Sequence, residues 1–286
     1  MTSPPPQLSE IAAMTAGRSY TLRYFDRPGP APTILYVHGL GCSKADFMEM
    51  TSVPELQSFR LVCADHPGCG DSSSDENHSL NIDAVVELVE NFVERLRLTR
   101  FLLVGGSMGG LVALLYAERN PNRITGFVNV EGNLAPEDCM FSRLVVPHAY
   151  AHFEGVVFPQ IKKALGAKAG RGFAQHIRVL ERANPRAYYD YAFQTVEYSD
   201  HGNLLERFLS LPVPICFLYG SENRHLSYLQ RILGSECTVM EIPNAGHFLF
   251  YDEPNYYAAA LGSFARNSCL FSLRCEPDQL QPKGQH

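Results

Sequence analysis

Between a short apolar run at residues 101–104 and an Ala- and Leu-rich stretch at residues 111–119 lies the segment Gly105-Gly106-Ser107-Met108-Gly109-Gly110. No other feature restricts the fold as tightly. The apolar run, closed by glycines, reads as a buried strand, and the stretch after it reads as a helix stopped before Pro121. Glycines around a single serine let the backbone turn sharply from strand to helix and let neighbouring chain approach closely. A serine hydroxyl is a weak nucleophile, and such a turn presents it to a base, clear of competing contacts. The helix behind it also directs backbone N–H groups towards a carbonyl under attack. Ser107 is therefore the candidate nucleophile. A glycine-rich turn with an incidental serine is the plain alternative, and the strand before and helix after weigh against it.

The rest of the chain repeats this alternation. Residues 19–25 alternate as a half-buried strand does, and short apolar runs at 33–37, 61–64, 124–130, 213–219 and 237–242 read as further strands. Ile82, Val85, Val86, Val89, Phe92, Val93 and Leu96 recur at spacings of three and four, so they share one helix face, with Asn81 or Ser79 placed to cap it. Residues 253–264 read as a last helix. Strands alternating with helices imply the α/β class, with a mostly parallel sheet covered on both faces. Between residues 134 and 209 the strand signal disappears, and aromatic, helix-like segments take its place. Ligands bind at the C-terminal edge of open α/β sheets, so this insertion is expected to form a helical cap there. The expected organisation is a core of residues 1–133 and 210–266, a cap of 134–209, and a flexible polar tail of 267–286. The first residues read as a loose start.

Composition narrows the partners. Apolar residues make up 45% of the 286 residues and charged residues 19%, which suits a soluble protein with a sizeable core. The net charge of −6 argues against nucleic acid or an anionic membrane surface as partner. No apolar run approaches the roughly 20 residues of a membrane helix. Residues 1–10 lack the basic and apolar regions of a signal peptide, so a cytoplasmic location is expected. The eight cysteines show no CxxC pairing, and Cys63 and Cys216 sit in apolar runs as small buried hydrophobes. Neither a metal nor a cofactor is expected.

From about residue 20 to residue 264 the chain resembles the α/β-hydrolase family. The resemblance is carried by His38-Gly39 after an early strand, the turn DHPGCGDS at residues 65–72, the elbow around Ser107, and Ala245-Gly246-His247 near the end. It implies an oxyanion hole made by the backbone N–H groups of Leu40 and Met108, where loss of one donor typically costs about 10²–10³ in rate. It also places the base after the last strand, at His247. His38 is expected to fix the oxyanion turn. His66, His78, His148, His152, His176, His201 and His225 fall in loops or the insertion, and His286 is terminal; none has an equivalent glycine turn after a strand.

The acid departs from the family pattern. Members usually carry Asp in a G-x-x-D turn after the penultimate strand, and here that turn is Gly220-Ser221-Glu222-Asn223. A neutral amide cannot stabilise an imidazolium, and the Asp-to-Asn change in a serine protease triad costs about 10⁴ in kcat. Glu131 is the preferred acid. It ends the strand after the elbow helix, 24 residues beyond Ser107. Some relatives, including certain haloalkane dehalogenases and fungal lactone hydrolases, place their acid there. Glu222 is the alternative, and Asp252 or no acid at all stay open behind it. Asp65 and Asp71 read as turn-capping residues. Tyr188, Tyr189, Tyr191, Phe193 and Tyr198, with Phe141, Tyr150, Phe153 and Phe158, read mainly as cap core, with some facing an apolar or aromatic part of a small-molecule substrate.

The function expected is that of a cofactor-free serine hydrolase acting on a carboxylic ester or lactone through an acyl-enzyme. Two rivals stand beside it. One is hydrolysis of a carbon–carbon bond by the same triad, and the other is a ligand receptor with weak or no catalysis.

Overall fold

The register of the central strands explains why the candidate residues meet. In the computed structural model, which describes residues 4–75 and 78–274, eight strands form one sheet in the order β1-β2-β4-β3-β5-β6-β7-β8. They are β1 (Gln7–Thr15), β2 (Arg18–Arg27), β3 (Ala31–Val37), β4 (Phe59–Ala64), β5 (Phe101–Gly106), β6 (Ile124–Val130), β7 (Ile215–Gly220) and β8 (Thr238–Ile242). The pairs β1–β2 and β2–β4 are antiparallel, and every other pair is parallel. Val37 pairs with Gly105, Gly106 with Val130, and Val130 with Leu218. The residues that follow β3, β5, β6 and β7 therefore emerge side by side on one edge, the edge at which open parallel sheets bind ligands.

Alternation along the strands feeds two cores. Leu35, Val37 and Leu103 pack with α1 (Ile82–Arg95) and α2 (Met108–Arg119) on one face. Ile34, Tyr36, Leu102 and Val104 pack on the other with Tyr257, Ala258 and Leu261 of the last helix, α10 (Pro254–Arg274). Helix α1 has the expected apolar stripe, and Asn81 accepts a hydrogen bond from the N–H of Ala84 as its cap. Helix α2 is buried throughout from Met108 to Ala117, as its Ala- and Leu-rich composition requires.

The remaining helices are α3 (Tyr150–His152), α4 (Phe158–Gly166), α5 (Arg171–Leu180), α6 (Pro185–His201), α7 (Leu204–Leu209), α8 (Leu229–Leu233) and α9 (Leu249–Asp252). Those from α3 to α7 lie between β6 and β7, and no strand falls among residues 134–209. They rest against the loops after β3 and β4: the Tyr191 hydroxyl donates to the Pro67 carbonyl (2.9 Å), and the N–H of Asn184 donates to that of Gly68 (2.8 Å). Phe153, Phe158, Tyr188 and Tyr191 are buried among these helices. No helix of the described residues is long and apolar enough to cross a membrane.

Two expectations are corrected. The loose start contains β1, joined to β2 by the two-residue turn Ala16-Gly17, with φ of +46° and +73°. Both angles match the hairpin turn that suits strand twist, and Gly17 bears the second at no steric cost. Mixed polarity hid this strand, because it lies half-exposed at the sheet edge. The expected tail is not loose from residue 267, since α10 runs on to Arg274. Ser268 is buried there and bonds back to the Ala265 carbonyl (3.2 Å), so a polar residue sits inside a packed helix. Residues 275–286 of that tail lie outside the described residues.

Candidate active site

Ser107 occupies the turn from β5 to α2 with φ of +52° and ψ of −131°, a conformation that a non-glycine residue holds only when its surroundings enforce it. The enforcement is visible. The Ser107 N–H donates to the Val130 carbonyl (3.3 Å), and its carbonyl accepts from the N–H groups of Gly110 (2.8 Å) and Asn133 (3.2 Å). A Cβ on Gly109 would lie 2.2 Å from the Val37 carbonyl oxygen, so α2 can start here only with glycine at that position.

Beside the turn, the His38-Gly39 loop leaves β3. The His38 ring is buried and accepts the His66 N–H at Nε2 (2.9 Å), so its proton sits on Nδ1, which faces the Gly39 carbonyl (3.0 Å). Burial lowers its pKa to about 4. A neutral ring bonded on both nitrogens is a strut, in keeping with the structural part expected of it. Leu40 and Met108 are buried at this edge. Met108 is the first residue of α2, where a backbone N–H has no partner within its own helix.

Glu131 follows β6 directly, with φ of +43° and little exposure. Its Oε2 lies 2.9 Å from His247 Nδ1. Its Oε1 accepts from the Gly220 N–H (2.8 Å), and the Asn223 side-chain amide donates to both oxygens at 2.8 Å. The residue at the family's usual acid position thus holds the carboxylate that reaches His247. An amide is suited to this, since a second carboxylate so close would repel the first. Glu222 is exposed, with its carboxylate beside the backbone of Gly246. Asp252 is used by the backbone, accepting from the N–H groups of Gly172 (2.9 Å) and Gly246 (3.1 Å).

A small cavity joins these parts, lined by Leu40, Ser107 and His247 together with Phe141, Phe248 and Phe250. Among the described residues, the side-chain partner of His247 is Glu131, and a serine–imidazole contact often tightens only when substrate binds. Asp65 and Asp71 lie elsewhere, in the turn after β4. Asp65 is fully buried and pairs with the Lys44 ammonium (2.6 Å), which also meets Asp71 (2.6 Å). Burial pushes the Lys44 pKa down, and the two carboxylates outweigh it and raise the value.

Three polar residues that the sequence did not single out also line the cavity: Cys42, Asp46 and His176. All are buried. Nothing in sequence spacing links His176 on α5 to Cys42, 134 positions earlier. Burial, then the nearby His247, lowers the His176 pKa to about 3, and burial raises that of Asp46 to about 6.

A family model described as alpha/beta hydrolase fold matches residues 32–175, half of the chain. The chain belongs to this family. Monoacylglycerol lipase ABHD6 of Bos taurus is 39% identical over 101 residues, which cover 34% of this chain and 29% of that lipase. The chain thus aligns with under a third of that relative's length. Among solved structures, a thermophilic esterase from Thermogutta terrifontis superposes with a TM-score of 0.74 at 20% identity, covering 92% of this chain and 99% of that one. The N-acyl homoserine lactonase AidH gives 0.71 at 18% identity, covering 97% and 100%. This alpha/beta hydrolase therefore shares its architecture with an esterase and a lactonase.

Proposed function

We propose that this alpha/beta hydrolase is a serine hydrolase that cleaves a small or medium carboxylic ester or lactone through an acyl-enzyme. The observation that carries this reading is the 2.9 Å contact between His247 Nδ1 and Glu131 Oε2, in a cavity that Ser107 also lines. A carboxylate on Nδ1 fixes the ring with its proton there, which leaves Nε2 free to take the serine proton. Ser107 attacks the carbonyl as His247 accepts that proton, and Glu131 stabilises the imidazolium. The N–H groups of Leu40 and Met108 receive the oxyanion. His247 returns the proton to the leaving oxygen, and water then releases the acid by the same steps. Helices α3–α7 act as the cap over this edge. The aromatic lining supports a substrate with an apolar part.

Serine-directed labelling tests the reading. A fluorophosphonate is expected to label the protein rapidly and at Ser107, with labelling lost in Ser107→Ala. Rapid labelling that survives this substitution, or none in the folded wild type, sinks the proposal.

A further inference from the structure

We propose that Cys42, Asp46 and His176 form a binding site for a divalent metal ion of the zinc class in the wall of the Ser107 cavity. The three donor atoms lie within 4.8 Å of one another, and all three side chains are buried. Cys42 Sγ and His176 Nδ1 are 3.8 Å apart. Tetrahedral zinc, with bonds of about 2.0–2.3 Å, sets its ligand atoms roughly 3.3–3.7 Å apart. The sulfur–nitrogen pair is already close to that spacing, and small side-chain rotations bring in the carboxylate.

The surroundings fit a metal better than they fit a free carboxylate. Buried charges are normally paired or bound to metal. Asp46 is 1% exposed, yet among the described residues it takes part in no ion pair. Its oxygens are met instead by the Ser43 N–H (2.7 Å), the Tyr251 hydroxyl (2.8 Å) and the Cys42 thiol. The first two orient the carboxylate as outer contacts orient a ligand, and the third carries the proton a metal would replace. The His176 ring is fixed by stacking on Phe248, with centroids 4.5 Å apart. Burial keeps the imidazole neutral, the form that binds metal. One thiolate, one imidazole and one carboxylate select zinc or cobalt over magnesium or calcium, which prefer oxygen alone. The thiolate and carboxylate carry two negative charges against two positive. Cys42 releases its thiol proton to solvent as the metal binds, so affinity rises with pH.

Three protein ligands leave one position open to the cavity. An ion there faces the same cavity that His247 lines. Its charge opposes formation of the imidazolium, so occupancy inhibits hydrolysis. That last step rests on the serine-hydrolase reading; the binding site does not.

The two are separated by measuring binding and turnover independently. Chelator-treated full-length protein is titrated with Co²⁺ and followed by the thiolate-to-cobalt absorption band. The expected result is saturation at one equivalent, displacement by Zn²⁺, and no band in Cys42→Ser. His176→Gln is expected to weaken binding by about 100-fold or more, since changes to outer contacts alone cost about 10–100-fold. Thermal melting in chelator checks that each variant folds, and His176→Gln decides the matter if Cys42→Ser does not fold. No band at one equivalent, or an equal band in Cys42→Ser, overturns the site. Zn²⁺ is expected to suppress wild-type ester turnover and leave the turnover of Cys42→Ser at its metal-free value. A band without suppression overturns the inhibitory role, and a protein with no turnover but a Cys42-dependent band fails as a hydrolase while the metal site stands.

Discussion

Two buried carboxylates follow strands at the same sheet edge, with two strands between them, and the partner each one faces separates their uses. Asp65, after β4, is fully buried and accepts from the Lys44 N–H (2.7 Å), the Lys44 ammonium (2.6 Å) and the Asp71 N–H (2.8 Å). Glu131, after β6, accepts from a backbone N–H, an amide and an imidazole. A lysine ammonium keeps its charge through any reaction at neutral pH, so Asp65 is fully committed to holding its turn. An imidazole can take up and release a proton in the course of a reaction, so the stabilisation Glu131 offers is largest when His247 carries charge. Burial and donor count are alike in the two places. The difference lies in whether the partner can change state.

The largest effect that would break this contrast is at Glu131. Glu131→Gln keeps the shape and removes the charge, and turnover of a p-nitrophenyl ester is expected to fall by about 10⁴, the scale of the equivalent change in a serine protease. Glu222→Gln, at an exposed residue, is expected to change it by less than about twofold. The reverse ranking would move the acid to Glu222. Asp65→Asn is expected to do the opposite. It removes one of the two carboxylates that meet the Lys44 ammonium and leaves Asp71 in place, and urea unfolding should show a loss of about 1.5–3 kcal/mol, the usual worth of a hydrogen bond to a charged group. Turnover per folded molecule should stay far closer to wild type than that of Glu131→Gln. A stable Asp65→Asn with turnover as low as that of Glu131→Gln would erase the distinction.

How much of this was legible follows from whether the constraint is local. The elbow was legible because a strained turn admits only small neighbours, and Gly109 touching the Val37 carbonyl is that constraint in space. The parallel sheet was legible because strands buried on both faces read as continuous apolar runs, as Phe101, Leu102, Leu103 and Val104 of β5 do. The half-exposed β1 and the polar residues ending α10 lack that mark, so they were missed. Asn223 was noticed as a departure, but its contact with Glu131 crosses 92 positions and no local pattern encodes it. Cys42, Asp46 and His176 are the extreme case. A capping turn supplies the first two and a distant helix the third, and each alone reads as an ordinary buried residue.

The smallest expected effect sharpens the comparison most, because it asks what Asn223 contributes. In the usual pattern this position supplies the acid, and here it supplies an amide that donates to both Glu131 oxygens at 2.8 Å. Asn223→Ala removes that donor and leaves the Gly220 N–H in place, so the carboxylate stays next to His247 but is less firmly oriented. One lost hydrogen bond to a charged group is worth about 1.5–3 kcal/mol. The remaining donors and entering water recover part of it, and kcat is expected to fall by about tenfold. KM should change little, because the amide touches the acid and lines no part of the substrate cavity. A rise in KM with kcat unchanged would make Asn223 a binding residue. A fall as deep as that of Glu131→Gln would mean that the amide and the carboxylate act as one unit, with neither sufficient alone to hold the charged imidazole.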